Sequence, residues 1–73
     1  MKIDGKILQK WNTLYSPGDA AKVIEQMEAD NKVGIMTIHR ALKKGDCSDV
    51  VFEAIATFFN KKEQRIKAVL NEN

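Results

Sequence analysis

Every apolar stretch of this 73-residue chain repeats at helical spacing, and none alternates at strand spacing. Ile3, Ile7, Leu8, Trp11, Leu14 and Tyr15 form a first stripe, with Lys6, Gln9, Lys10 and Asn12 outside it. Ala20, Val23, Ile24 and Met27 form a second, with Lys22, Glu25, Gln26 and Glu28 outward. Ile35, Ile38 and Leu42 fall at i, i+3 and i+7, with Ala41 beside them. Val51, Phe52, Ile55, Phe58 and Phe59 make the last stripe, which Ile66, Val69 and Leu70 resume after the polar run Asn60 to Arg65. The pattern predicts an all-α protein of four or five short helices, packed as one compact domain over residues 1–73. Whether 48–70 is one helix or two with a break near Asn60 is left open by the spacing. Trp11 lies within its stripe and is expected to anchor the core. Met27 is expected to fill space there.

The breaks between stripes carry start and stop signals. Asp4 is placed to cap the first helix, and Pro17 forbids its continuation. In Ser16-Pro17-Gly18-Asp19 the Ser16 side chain is expected to accept from the Asp19 N–H, the Asp19 carboxylate to reach back to the first turn, and Pro17 to take the first helical position. That helix should fade by Asp30-Asn31. Gly45 suits a left-handed cap, following two lysines that favour a helix C-terminus. Ser48 or Asp46 caps the segment beyond it.

Charge is strongly blocked along the chain. The net value is +2, yet residues 16–31 sum to −3, residues 32–45 to +4 and residues 46–53 to −3. One concentrated basic element suits a local anionic partner better than general polyanion binding. Catalytic chemistry has little to work with. His39 is the one histidine, with no second ligand at metal-binding spacing. Cys47 is the one cysteine, which excludes an intramolecular disulfide and suits a reducing interior. It has no sequence-local base and sits among capping residues, as a small packing residue would. No glycine-rich phosphate loop occurs, and the acids are scattered on outer helix faces. The N-terminus does not resemble a secretory signal, and no apolar run approaches the roughly 20 residues that span a bilayer. The expectation is a cytoplasmic non-enzyme with no catalytic residue, metal or small-molecule cofactor, and no membrane association.

The +4 block is Lys32-Val-Gly-Ile-Met-Thr-Ile-His-Arg-Ala-Leu42, closed by Lys43-Lys44-Gly45, and it contains no acid. On a helix from Gly34 to Lys44, Ile35, Ile38 and Leu42 face the core. Met36, Arg40 and Lys43 take the other side, flanked by Thr37, His39 and Lys44. A short helix packed on one face and cationic on the other is a shape the DNA major groove accepts.

Val33 to Leu42 resembles the recognition helix of bacterial helix-turn-helix regulators of the lac-repressor and lambda-repressor-like group. Thr37-Ile38 and Arg40-Ala41-Leu42 match that pattern directly. Val33 stands where a buried residue ends the turn, and Gly34 where a serine cap is usual. Lys43-Lys44-Gly45 and the restart at Ser48-Asp49-Val50-Val51 are also similar, and Cro-like phage regulators share the short length. The likeness is tight over residues 33–55. It extends to the preceding helix if about four extra residues near Ala29 to Lys32 lengthen the turn, with Val23 and Met27 in the buried places.

The resemblance implies a lambda-repressor-like domain acting as a sequence-specific transcriptional regulator of double-stranded DNA. It implies DNA-binding roles for Gly34, Ile35, Met36, Thr37, His39, Arg40, Lys43 and Lys44. Positions 35, 36 and 40 would meet base edges, and Thr37, His39, Lys43 and Lys44 would grip phosphates. Such domains commonly pair on two half-sites, which makes Phe58 to Leu70 the candidate homodimer surface; the competing role for its phenylalanines is to close the monomer's own core. A different class of function, a small helical protein–protein interaction module, would use Ile35 and Met36 as part of an apolar docking patch.

Overall fold

The Asp4 carboxylate accepts the Lys6 N–H at 2.9 Å and starts α1, Gly5–Leu14. Three further helices follow in the computed structural model, which describes residues 1–71: α2, Asp19–Gln26; α3, Ile35–Lys44; and α4, Asp49–Asn71. The last two residues of the expected domain, 72 and 73, lie outside the described residues. A short 3-10 helix, Ala29–Asn31, sits between α2 and α3. The fold is a compact all-α domain, and the described residues contain one isolated antiparallel bridge, Lys2 to Asp46, rather than a strand.

Several boundaries differ from those expected. Pro17 is outside α2, because Gly18 adopts a left-handed conformation (φ 91°, ψ −10°) that no α-helix can include. Residues 16–19 form a β-turn with Pro17 and Gly18 at its centre, closed by the Asp19 N–H donating to the Ser16 carbonyl at 3.0 Å. The Ser16 side chain therefore does not accept from Asp19. The other half of the expected exchange is present, as the Asp19 carboxylate accepts the Ser16 N–H at 2.8 Å. α2 ends at Gln26, before Asp30-Asn31, and α3 begins at Ile35 with Gly34 as its cap rather than its first residue. Ser48, not Asp46, caps α4, accepting the Val51 N–H at 3.3 Å. α4 runs unbroken through Asn60.

The core forms where all four helices meet. Trp11 is stacked on Phe59 at 5.9 Å between ring centroids and lies tilted against Phe52 at 5.4 Å. Phe58 meets Phe59 edge-on at 5.2 Å, so both phenylalanines close the monomer's own core. Val23 and Met27 are buried from α2, and Ile38, Ala41 and Leu42 from α3. The stripe assignments fail at its edges. Ile7 is 39% exposed, and Ile3, though buried, lies before α1. Ile3 N–H donates to the Gly45 carbonyl at 2.7 Å, which ties the N-terminal segment to the end of α3. Beyond Phe59 the apolar positions Ile66, Val69 and Leu70 are exposed rather than core. No helix among the described residues is long and apolar enough to cross a membrane.

Candidate functional site

α3 is anchored on three sides, and this sets which of its residues face outward. Ile38 is fully buried, with Ala41 and Leu42 beside it. The Gly45 N–H returns to the Ala41 carbonyl at 2.9 Å from a left-handed cap (φ 72°). Asn12 of α1 donates one amide group to both its own Leu8 carbonyl and the Leu42 carbonyl, each at 3.0 Å. Met36, Arg40 and Lys43 then fall opposite Ile38 and are all exposed, Met36 by 68%. Thr37 and Lys44 are exposed on one flank, His39 on the other.

Ile35 departs from the expected inward stripe. It is 45% exposed, because the buried arc is centred on Ile38 and Ile35 occupies the open first turn. It therefore joins Met36 on the surface instead of holding α3 to the core. Gly34 closes that turn by accepting the Thr37 N–H at 3.0 Å, and no side chain caps the helix start. His39 is engaged by a neighbour: its Nε2 lies 3.2 Å from the Tyr15 hydroxyl, with the two rings edge-on.

The four cations of the basic block divide in two groups. Lys32 folds back and donates to the Ile24 carbonyl at 3.0 Å, covering the end of α2. Arg40, Lys43 and Lys44 make no side-chain hydrogen bond or ion pair among the described residues. The nearby acid Asp46 is engaged with the Met1 ammonium at 3.4 Å. All eight sequence-derived site residues thus lie on α3 or its cap and are exposed together.

No family model, curated protein or solved structure matches the chain.

Burial pushes the Cys47 thiol up; the Met1 ammonium opposes this, and Asp46 and Asp49 reinforce it, so the thiol stays protonated at neutral pH. Among the described residues no group of three or more His, Cys, Asp or Glu is disposed to hold a metal ion. Two features escaped the sequence. Asp19 is buried and paired with Lys62 of α4, against the expectation that the acids all lie on outer faces. The only local hint was its position three residues after Ser16 across a Pro-Gly turn. The contact of Tyr15 with His39 joins the end of α1 to α3, and nothing in either segment signals it.

Proposed function

We propose that this chain is a sequence-specific DNA-binding transcriptional regulator of the helix-turn-helix kind, with α3 lying in the major groove. The observation that carries it is the two-sidedness of α3: Ile38 is fully buried, while Met36, Arg40 and Lys43 stand exposed opposite it. Arg40, Lys43 and Lys44, without carboxylate partners among the described residues, are available to phosphates at no cost of broken ion pairs. The uncapped start of α3 adds outward N–H groups and the positive end of a helix dipole. Val23 and Met27, both buried, and the 3-10 helix at Ala29–Asn31 fit a motif whose turn is lengthened between α2 and α3. Arg40 supplies bidentate recognition of guanine, and Met36 or Ile35 meets a thymine methyl. Thr37, Lys43 and Lys44 grip the backbone. The protein acts by binding rather than catalysis, as a cytoplasmic DNA-binding protein without cofactor, and two copies joined through the outer half of α4 read two half-sites.

A labelled sample titrated with a mixed-sequence duplex at low salt tests this. Amide shifts should concentrate between Gly34 and Gly45 and reverse as salt is added. Arg40→Ala should cost about 1–3 kcal/mol of discrimination between preferred and random duplexes while the fold persists. Unmoved amides along α3 at high duplex concentration would end the proposal.

A helical protein–protein interaction module is the second reading, favoured by the exposed Ile66, Val69 and Leu70 together with Met36. Partner binding would then respond weakly to salt, and Met36→Asp rather than Arg40→Ala would be the damaging change if that face docks.

A further inference from the structure

Where α1 meets α3 the surface forms a shallow notch lined by Asn12, Tyr15, His39, Leu42 and Lys43. The Asn12 amide nitrogen is already committed to two carbonyls, at 3.0 Å each. Tyr15, His39 and Lys43 are left to meet a ligand. His39 and Lys43 stand one turn apart on α3 and so project on the same side. Among the described residues, the titratable groups facing the notch are Tyr15, just past the end of α1, and His39 and Lys43 from α3; α2 and α4 contribute none of its lining, and no carboxylate lines it.

We propose that this notch binds a phosphate group and that its occupation is coupled to protonation of His39. In the neutral tautomer that carries its proton on Nδ1, the Tyr15 hydroxyl donates to Nε2 across 3.2 Å, so the phenol proton is consumed within the protein. A proton on Nε2 reverses that bond. Nε2–H then donates to the phenol oxygen, and the phenol O–H is released to point outward. The notch now offers a phenol O–H and the Lys43 ammonium beside the imidazolium, with two positive charges and no acid in its lining among the described residues. A phenol donor flanked by two cationic groups suits a tetrahedral oxyanion. The phosphate in turn stabilises the imidazolium, so binding draws a proton to His39; for a phosphodiester, whose charge is constant over this range, binding strengthens as pH falls through the His39 midpoint. Its source is either a DNA backbone phosphodiester, in which case the inference rests on the proposed DNA binding, or free phosphate.

His39 is the only histidine in the chain, so its ring-proton signals can be followed without ambiguity by NMR. Its titration midpoint would be measured in chloride buffer, with inorganic phosphate, and with saturating mixed-sequence duplex at low salt. The expected result is a midpoint raised by about one pH unit, equivalent to about tenfold tighter binding to the protonated form. Tyr15→Phe, which keeps the ring, should diminish that rise, and His39→Gln should flatten the pH dependence of binding. A rise with duplex alone assigns the notch to backbone phosphate. A rise with inorganic phosphate, duplex failing to bind, upholds the notch and removes the DNA reading. Duplex-induced shifts along α3 with an unmoved His39 midpoint would overturn the notch and leave DNA binding standing, and a midpoint unmoved by either probe would overturn it outright.

Discussion

A carboxylate only 2% exposed holds α2 against α4. Burial pushes the Asp19 carboxyl up, but hydrogen bonds from the Lys62 ammonium and the Ser16 N–H, with the charges of Lys62 and Lys22, outweigh it and hold the group below the ordinary carboxylate value. Lys62 also donates to the Ser16 hydroxyl at 3.0 Å, so one ammonium satisfies the turn and the carboxylate together. Asp19→Ala should therefore destabilise the fold by about 3 kcal/mol in urea titrations, since it strands a largely covered ammonium and an N–H group. Lys10→Ala, which breaks the more exposed pair with Glu63, should have a much smaller effect. The pH dependence follows in sign. A carboxyl whose folded value is lowered contributes its full stabilisation above its unfolded value, about 3.9, and loses it as pH falls through the folded value. The wild type should lose stability below about pH 4, and Asp19→Asn should lose less over the same interval. Equal acid sensitivity of the two proteins would show that another carboxylate dominates.

At the scale of elements, the cap of α3 ties the domain's parts together. Gly45 combines a left-handed φ of 72°, a carbonyl that accepts the Ile3 N–H at 2.7 Å, and close packing under α1. A Cβ there would stand 3.0 Å from Leu8 Cδ2, a methyl that can rotate away, so the backbone conformation sets most of the cost. Gly45→Ala should lower stability by about 1–2 kcal/mol, visible as a lower melting temperature. An unchanged melting temperature would mean the cap relaxes freely. This cap was legible in the sequence because a glycine after two lysines has a local cause. The same holds for the Asp4 cap and for the buried stripe of Ile38, Ala41 and Leu42, where spacing alone decides the inward face. The end of α2 was not legible. Asp30-Asn31 is a strong turn signal, yet the helix stops at Gln26 and the signal is used by a 3-10 helix instead. Ile35 failed for a related reason: periodicity gives a direction around the helix but does not say whether a neighbouring element extends far enough to cover it. The outward ridge Met36, Arg40 and Lys43 followed from spacing, whereas the engagement of His39 by Tyr15 depends on how α1 docks.

Across the whole molecule, α4 is longer than the body it supports. Its 23 residues extend about 34 Å, within a longest dimension of 40 Å. The radius of gyration is 12.4 Å, above the roughly 11 Å of an average compact chain of this length. The excess reflects the outer half of α4, where burial ends at Phe59 and Val69 and Leu70 are 63% and 68% exposed. These residues share a face with Ile66, and with Pro17 and Phe58 they border a groove between α2 and α4. The proposed twofold pairing through this surface would cover the stripe and the groove together. Under the proposed DNA reading, the three cations of each α3 that are unpaired among the described residues would give modest affinity alone, while two linked copies would gain from the second site's effective concentration. Val69→Asp places a charge in the stripe without touching the core, so the melting temperature of the dilute monomer should barely change. Binding to a duplex carrying two half-sites should fall to that of a single half-site and lose its steep concentration dependence. Sedimentation on the same duplex reads this as a shift from two bound copies to one. If the variant still loads in pairs with wild-type affinity, the outer half of α4 is not the dimer surface.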